Sequence, residues 1–581
     1  MTAAPKPPAA RWQPTWLAGY DNRAARQDLV AGLIVVMMLV PQSLAYALLA
    51  GLPAEAGIFA SILPIVAYAC FGSSRALAVG PVAVVSLMTS SALAGLAPPG
   101  SHAYVALALQ LAALSGLMLL AAGALRLGFL SHLLSHPVIN GFMMGSAVLI
   151  ILGQVMPLLG FRGGGHTALE LAQALLEKAS GFNGPTLLLG GTALAVLLVA
   201  RSLLRPVLAT LGLRGPGADL VQKLMPMLVV TVAIAVTFLL DLDRAHGIAV
   251  VGRIPAALPN LALPALEPAV LRALLLPAGA IALVGFIESV SVAQSLAMRD
   301  RERIDPNREL LGLGAANLAA AFAGGLPVTG GLSRSIVNHA AGARSPLAGV
   351  VAAAALVLML YSISGVFARL PTCVLAASII VPMLGLLDFR GLLATWRYSR
   401  ADGLAQAATT LGVLVLGVEP GIAVGVVLSL LALIWSASRP HIAIEGRVPG
   451  TEQFRNIERA DVEVDPAVLA LRVDENLFFG NIAAVEETLE HALAERPRAR
   501  HVVLVLSSVS LIDATALERM TLLEASLRAR RITLSFAGVK GPVLDRLAGT
   551  PLLSRLEGRV FRFTHEAFKH LATQDARGWR E

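Results

Sequence analysis

The residues that most constrain the fold are 324–348, GGLPVTGGLSRSIVNHAAGARSPLA. They combine glycine pairs, two prolines and several hydroxyl side chains with Arg334, in surroundings that are otherwise apolar. A helix that faces lipid avoids such residues, because unpaired peptide groups and a guanidinium are costly in hydrocarbon. The stretch therefore predicts a broken membrane helix, extended at residues 327–329 and reopening as a half-helix at Gly330 and Gly331. The alternative is a kinked or re-entrant helix that only shapes the bundle.

A break of this kind predicts an anion site. The extended piece should leave backbone N–H groups free, and free N–H groups and the positive end of a helix dipole attract anions. Residues 73–86 repeat the pattern around Pro81. Pro81 and Pro327 are predicted to mark the half-helix starts, since proline costs nothing in a first helical turn. If the two half-helices face each other, their dipole ends and Arg334 converge on one small anion; otherwise Pro81 merely kinks an ordinary span.

Composition identifies an integral membrane protein with a soluble end. Of the 581 residues, 56% are hydrophobic and only 14% are charged, against about 25% charged in soluble domains. The charged residues become frequent from about residue 441. The predicted organisation is a cytoplasmic segment at 1–28, a transmembrane domain at 29–440, a linker at 441–464, a soluble domain at 465–575 and a tail at 576–581. The net charge of +8 does not indicate nucleic acid, because much of the basic excess lies in short loops between apolar spans.

Apolar runs long enough to cross a bilayer predict about fourteen spans. They lie near residues 29–48, 54–72, 78–96, 103–124, 137–160, 184–201, 224–241, 271–298, 309–324, 326–342, 346–367, 371–387, 403–418 and 420–438. With both termini in the cytoplasm, most loop Lys and Arg residues lie on the cytoplasmic side, as the positive-inside rule requires. The N-terminal segment lacks the apolar core of a signal peptide. Both cysteines, Cys70 and Cys373, lie in apolar segments, which indicates no disulfide framework.

Two short echoes suggest a duplication. Residues 41–45 (PQSLA) resemble residues 293–297 (AQSLA), and residues 80–82 (GPV) resemble residues 326–328 (LPV). With seven spans in each half, the two copies would be inverted, an arrangement common among secondary transporters. Paired segments interrupted by Gly and Pro then point to the binding site.

Glu288 is a carboxyl inside an otherwise apolar helix, and an ionisable residue in a membrane is a functional candidate. Beside an anion site it could couple transport to a proton, because its protonation would offset the negative charge of the substrate. The alternative is a static Glu288–Arg334 pair that holds the bundle together. Gln42 and Tyr46 lie one turn apart. Gln42 could donate hydrogen bonds to an anion and Tyr46 could form a wall of the site, or both could be ordinary helix-packing groups. The histidines lack metal-ligand spacing, so neither a metal site nor a cofactor is predicted.

These residues carry a family resemblance. The segments PQSLAYALLAGLPAEAGIFASILP, FGSSRALAVGPVAVVS, GFIESVSVAQSLA and GLPVTGGLSRSIVN strongly resemble the sulfate permease (SulP, solute carrier 26) family of anion transporters. The resemblance implies an all-α membrane domain of fourteen spans in a 7+7 inverted repeat, with core and gate domains like those of the uracil transporters, and a homodimer. It implies an anion site between spans three and ten, lined by the residues Gln42, Tyr46, Val82, Glu288, Ser333 and Arg334. Sodium-coupled members carry an aspartate-based site in the span of Glu288, so the resemblance favours a proton.

In the soluble end, strands are predicted at residues 469–473, 501–506 and 532–536, with helices at 481–495 and from about 512. This alternation of strands and helices resembles a STAS domain, a small α/β fold. Asp513 or Thr515 is expected to cap the second helix. Related free-standing STAS proteins carry a phosphorylatable serine where this chain has Ala514, so phosphoregulation of that kind is not expected. The domain could instead bind a regulatory protein or a nucleotide.

The expected function is proton-coupled sulfate uptake by an elevator-type mechanism, without enzymatic activity, in a bacterial inner membrane. The substrate could equally be bicarbonate or a fumarate-like dicarboxylate, since N–H groups and one arginine suit any of them. The alternative hypotheses for the same sequence are uncoupled anion exchange, an anion channel, nucleobase uptake and a sensor that binds substrate without transporting it.

Overall fold

The structure, a computed structural model, describes residues 16, 20–132, 135–161, 165–178, 181–210, 212, 216–258 and 268–578. Contacts divide the chain into two compact units, Met1–Ser429 and Leu430–Glu581. The first unit is helical apart from two short strands, and its last helix continues into the second unit. Its elements are α1 Asn22–Leu49, α2 Ala54–Phe59, α3 Leu63–Phe71, β1 Val79–Gly80, α4 Ala83–Leu93, α5 His102–Ala124, α6 His136–Leu158, α7 Ala168–Lys178, α8 Gly184–Thr210, α9 Pro216–Leu239, α10 Leu242–Ala245, α11 Pro268–Arg299, α12 Pro306–Phe322, β2 Thr329–Gly330, α13 Leu332–Ala340, α14 Leu347–Phe367, α15 Thr372–Met383, α16 Phe389–Tyr398, α17 Arg400–Leu416 and α18 Val418–Ser438.

Each of the fourteen predicted spans coincides with one or more of these helices, so the prediction of a polytopic helical domain is confirmed. Within the described ranges, eight helices are long and apolar enough to cross a membrane. The third and tenth predicted spans are interrupted, because β1 precedes α4 and β2 precedes α13. Leucines and isoleucines stay exposed along helices such as α18. In a bilayer such faces contact lipid, where apolar side chains cost nothing.

The helix contacts show the duplication directly. Helix α1 packs against α13 and α14, while its counterpart α11 packs against α4 and α5. In the same way the α6–α17 contact is matched by α15–α8, and the α12–α5 contact by α3–α14. Exchanging each helix with its counterpart therefore converts one set of contacts into the other. The equivalent strands β1 and β2 run antiparallel, as an inverted repeat requires.

The helices of this unit form two groups. Helices α1–α5 and α11–α14 pack together, and α6, α8, α9, α15 and α17 form the second group. Glycines permit the close crossings: a Cβ at Gly312 would lie 2.8 Å from the Cα of Gly72, and one at Gly141 would lie 2.4 Å from the carbonyl oxygen of Gln406. Small residues of this kind let membrane helices approach backbone to backbone.

The second unit is a six-stranded sheet with helices on both faces. Its elements are β3 Ile442–Arg447, β4 Phe454–Asn456, β5 Val468–Val473, α19 Ile482–Glu495, β6 His501–Val505, α20 Ala514–Ala529, β7 Thr533–Ala537, α21 Gly541–Leu547, α22 Pro551–Arg555, β8 Val560–Phe561 and α23 Thr564–Gly578. The strand order is β4-β3-β5-β6-β7-β8, parallel from β5 to β8.

Alternation along the strands places a core on each side of this sheet. Leu469 and Leu471 of β5 share a buried cluster with α19 and α20, whereas Val468 and Ala470 pack on the side of α23 with Leu571. Successive strand residues point to opposite faces, so a sheet covered on both sides needs an unbroken apolar strand. The HVVLV sequence of β6 is buried at all five positions. The predicted α/β fold of the soluble end is confirmed.

Candidate functional site

The two interrupted segments meet in a two-stranded antiparallel pair. Val79 pairs with Gly330, and Gly80 pairs with Thr329. The pairing extends at one end, where the Gly331 N–H donates to the Ala78 carbonyl at 3.0 Å. Two segments about 250 residues apart in the chain are therefore held side by side, and their four paired residues are buried.

Side chains of α13 hold the strand pair against the start of that helix. The Ala78 N–H donates to Ser335 Oγ at 2.9 Å, and that hydroxyl donates to the Gly331 carbonyl at 2.7 Å. One turn further on, Asn338 Nδ2 donates to the Ala76 carbonyl at 3.1 Å. Ser335 and Asn338 are both buried, so these bonds are protected from water. They fix the start of α13 relative to the chain that leads into α4.

Helix α11 and helix α12 hold the other side of β2. Ser289 Oγ lies 2.7 Å from Thr329 Oγ1 and accepts the Gly330 N–H at 2.8 Å. Asn317 donates to the Val328 carbonyl at 2.8 Å and accepts its N–H at 3.0 Å. The expectation that the extended piece leaves its backbone N–H groups free is therefore wrong at residues 328, 330 and 331. Buried backbone groups are paired almost without exception, and here helix side chains supply the partners.

The free N–H groups lie instead in the first turns of the two helices. Helix α4 begins at Ala83 after the N-cap Val82, and α13 begins at Leu332 after the N-cap Gly331. Neither N-cap residue, Val82 or Gly331, has a polar side-chain atom that could cap its helix. First-turn N–H groups have no acceptor within their own helix, so both ends carry positive partial charge.

The structure corrects the prediction for the two prolines. Pro81 lies one residue before the N-cap Val82, and Pro327 lies in the extended segment before β2, so neither is in a first helical turn. Aligning the helix starts Ala83 and Leu332 places Pro81 opposite Gly330. The similarity of residues 80–82 to residues 326–328 is thus out of register with the repeat.

Arg334 is buried between these two helix starts. Its side chain is 1% exposed, and Nε, Nη1 and Nη2 have no hydrogen-bond partner among the described residues. A Cβ added at Gly80 would lie 3.2 Å from Nη2, and one at Gly331 would lie 3.0 Å from it. The guanidinium therefore lies against both interrupted segments, and glycine is what admits it. A buried cation whose N–H groups lack acceptors is costly, so this geometry suits an anion.

Glu288 lies on α11 beside a cavity of about 300 Å³. The cavity separates α11 and α13 from the second helix group, and its lining includes His136, Asn140, Ser295, Leu332 and Gln406. Glu288 Oε2 has no hydrogen-bond partner in the described part of the chain. Glu288 and Arg334 do not form a hydrogen-bonded pair there, although the two charges interact through space. The structure thus lacks the static pair that was the alternative for these residues.

The remaining predicted residues lie around Arg334 to different degrees. Tyr46 is buried and lies within electrostatic range of both Arg334 and Glu288. Val82 is buried at the start of α4, whereas Ser333 is exposed at the start of α13, next to the cavity-lining Leu332. Gln42 is half-buried on α1, one turn before Tyr46, and bonds no other described residue.

Sequence reasoning missed the residues that support the site. Ser289, Asn317 and Asn338 are not among the predicted site residues, yet all three bond to the interrupted segments. A signal was present, because Ser289 follows Glu288 directly and Asn338 lies one turn after Arg334 on the same helix face.

In the second unit, Asp513 is the N-cap of α20. Its Oδ1 accepts the Ala516 N–H at 2.7 Å, and its Oδ2 accepts the Phe479 N–H at 2.9 Å. Thr515, the other predicted cap, lies inside the first turn and is exposed. The cap therefore also ties the loop after β5 to the start of α20.

Comparison with known proteins gives the same two-part division. Residues 26–409 match the model of the Sulfate permease family, and residues 459–567 match that of the STAS domain. Probable sulfate transporter 4.2 of Arabidopsis thaliana is 35% identical over 550 residues, covering 92% of this chain and 79% of that protein. A probable sulfate transporter of Mycobacterium tuberculosis is 34% identical over 558 residues, covering 95% of this chain and 97% of that one. These relatives are transporters, not enzymes.

Solved structures share the fold. The murine solute carrier 26 family member A9 anion transporter, in the inward-facing state, matches with a TM-score of 0.86 and 21% identity, over 96% of this chain and 93% of that one. The transmembrane domain of the cyanobacterial bicarbonate transporter BicA matches with a TM-score of 0.59 and 22% identity, over 71% of this chain and 98% of that one. At these identities the likeness concerns the fold alone.

Proposed function

The chain belongs to the sulfate permease family, and from this premise we propose that it is a secondary active transporter that takes up sulfate together with a proton. The relatives' names supply the substrate, since both are called sulfate transporters. The observation that carries the proposal is Arg334, a buried guanidinium without a protein acceptor in the described residues, set between two helix N-termini.

The charges at this place suit a divalent anion. Each helix N-terminus carries the equivalent of about half an elementary charge. Two such ends and one guanidinium therefore present about two positive charges. Sulfate, with two negative charges, balances them when Glu288 is neutral. An ionised Glu288 would leave about one negative charge in excess.

This balance is the physical reason for coupling. Binding of sulfate raises the proton affinity of a nearby carboxyl, and protonation of that carboxyl raises the affinity for sulfate, because linkage is reciprocal. Glu288 lines the cavity, so a proton can reach it from water. It also lies within electrostatic range of Arg334. One titrating carboxyl supports one proton for each anion.

For the movement we propose an elevator. The group of α1–α5 and α11–α14 carries Arg334 and both half-helices, and it would slide past the second group with the anion bound. The asymmetry of the contacts supports this step. Helix α1 packs on α9 and α15, whereas its counterpart α11 faces the cavity lined by α6 and α17 residues. The cavity thus lies on the α11 side, whereas the α1 side is packed against the second group.

The protein is a multi-pass membrane protein, and we place it in a bacterial inner membrane with both termini in the cytoplasm. This orientation rests on the Lys and Arg residues of the loops. A homodimer, and a regulatory protein or nucleotide bound to the STAS domain, remain predictions from the family.

The test is uptake of labelled sulfate, bicarbonate and fumarate into proteoliposomes at two imposed pH gradients. The proposal predicts saturable sulfate uptake that an inward proton gradient drives above equilibrium. Faster uptake of bicarbonate or fumarate would reassign the substrate. Sulfate flux that only equilibrates, whatever the gradient, would reassign the protein as a channel or exchanger.

A further inference from the structure

A second polar cavity lies at the start of α1, away from Arg334. Its volume is about 320 Å³. Its lining includes Trp16, Tyr20, Arg23, Arg75 and Arg344. We call it the arginine cleft. Three guanidinium groups share it with one carboxylate, Asp21, whose Oδ1 accepts the Ala24 N–H of its own helix at 2.8 Å.

The wall of the arginine cleft is built on a buried carboxylate. Asp28, 1% exposed, accepts the N–H groups of Arg344 at 2.6 Å and Ser345 at 3.1 Å, and the Ser345 hydroxyl at 2.5 Å. The Tyr20 hydroxyl donates to Asp28 at 3.0 Å. Burial, and then this bond to Asp28, raise the pKa of Tyr20 to about 12, so the hydroxyl keeps its proton. The negative charge of Asp28 is therefore fully occupied inside the wall.

The three arginines keep donors for a ligand. Arg344 uses Nε for Gln27 Oε1 at 3.0 Å, and Arg75 Nη1 pairs with Glu302 at 2.8 Å, with 48% of the Arg75 side chain exposed. Arg23 makes no hydrogen bond or ion pair to the residues that the structure describes. A guanidinium offers five N–H donors in a planar fork that matches phosphate oxygens. Together the three can surround a single phosphate group.

The position of the arginine cleft selects a lipid over a soluble phosphate. Trp16 donates Nε1 to the Ala69 carbonyl at 2.9 Å and packs edge-on against Tyr20, with ring centroids 6.0 Å apart. Tryptophan and tyrosine gather at the membrane–water interface. Val30 and Met37, 53% and 42% exposed, follow Arg23 along α1 at intervals of seven residues. Residues at that spacing share one face of a helix, so an apolar stripe descends from the cleft.

We propose that the arginine cleft binds the phosphate headgroup of an anionic phospholipid, with an acyl chain along Val30 and Met37. Arg75 lies four residues before β1, and Arg344 lies four residues after α13. A bound headgroup therefore links α1 to the chain segments that flank both half-helices. This lipid site is separate from the anion site and does not depend on the proposed transport activity.

The test is native mass spectrometry of the full-length protein, purified and exposed to equal amounts of phosphatidylglycerol and phosphatidylcholine. An arginine near an anionic membrane surface contributes about a fivefold factor in binding. Replacing Arg23, Arg75 and Arg344 together by Gln is therefore expected to lower retained phosphatidylglycerol by on the order of a hundredfold. A matched triple Gln variant at the exposed arginines Arg126, Arg299 and Arg390 should retain it. The triple Lys variant of the cleft, which keeps the charge but loses the planar fork, should retain more phosphatidylglycerol than the triple Gln variant and less than the wild type.

Equal loss in the cleft and control variants, or no loss in either, would overturn the proposal. Displacement of phosphatidylglycerol by inorganic phosphate at the same concentration would assign the cleft to a soluble phosphate and overturn the lipid assignment. Thermal unfolding of each variant checks that it is folded. If the triple Gln variant is not, R23Q alone serves, because Arg23 bonds no described residue; it should lose about fivefold.

Discussion

Glu288→Gln is the change that most sharply separates coupled from uncoupled transport. Gln keeps the size of the side chain and its hydrogen-bonding capacity, but it cannot exchange a proton. The site would then hold its two helix ends and Arg334 with a permanently neutral neighbour, the condition in which the charges balance sulfate. We therefore expect E288Q to bind and equilibrate sulfate, and to lose concentrative uptake.

The magnitude follows from one carboxyl at the site. With one proton for each sulfate and the membrane potential clamped at zero, a gradient of one pH unit stores about 1.4 kcal/mol. It can concentrate sulfate about tenfold, since 1.4 kcal/mol corresponds to a factor of ten. The wild type should approach that ratio in proteoliposomes, whereas E288Q should stop at a ratio of about one. Labelled sulfate inside and outside the vesicles at steady state measures both.

A second buried carboxyl provides the matched control. Glu309, fully buried on α12, accepts the Tyr68 hydroxyl at 2.8 Å and the N–H groups of Ser73 and Ser74 at 2.8 and 2.9 Å. Its bonds are all structural, so E309Q should lower thermal stability and keep the pH-driven accumulation. Full accumulation by E288Q, or equal loss in both variants, would refute the assignment of the proton to Glu288.

Three further predictions follow from the hydrogen bonds. S289A leaves the buried Gly330 N–H without its acceptor, which costs about 1–3 kcal/mol, so sulfate affinity should fall. The control S115A removes one hydrogen bond to the Ala278 carbonyl, outside the site. In a binding titration, S115A should leave sulfate affinity unchanged. D513A removes the cap of α20 and should cost about 1 kcal/mol, seen as faster hydrogen exchange in the first turn of α20, while T515A should have little effect there. Burial opposes ionisation of Asp474, but hydrogen bonds from Arg472 and His441 outweigh it and lower its pKa. A carboxyl whose pKa is lowered by folding stabilises the folded domain at any pH above its ordinary pKa, near 4. This stabilisation is lost as the pH falls through the pKa that the group has in the folded state. D474N should therefore speed hydrogen exchange in β5 at pH 7, and the difference from wild type should shrink in acid.

The sequence was sufficient for the helices and for the position of the break. Apolar runs of about 20 residues have few alternatives to a membrane helix, and each predicted run contains at least one helix in the structure. Glycine and proline around Arg334 indicated an interruption, because an ordinary lipid-facing helix would not carry them. Short apolar runs at β5 and β6, separated by a helical stretch, indicated the sheet of the second unit for the same local reason.

The details of the site depend on contacts between distant residues, which no local pattern encodes. The pairing of β1 with β2 decides which N–H groups are satisfied, and the partners come from α11, α12 and α13. Proline preferences suggested helix starts at Pro81 and Pro327, but the strand pairing moves both starts further along the chain. The lack of a protein partner for Arg334 in the described residues likewise appears only when its neighbours are in place.

In the proposed mechanism, Arg334 and the first turns of α4 and α13 form the anion site. Selenate replaces sulfate with a heavier scatterer of the same shape and charge, so a map of the selenate-bound protein locates the anion directly. We expect one selenate, with its oxygens about 3 Å from the Arg334 guanidinium and from the Ser333 N–H and the selenium peak one bond further away. A peak elsewhere in the molecule, with Arg334 bonded instead to Glu288, would contradict it.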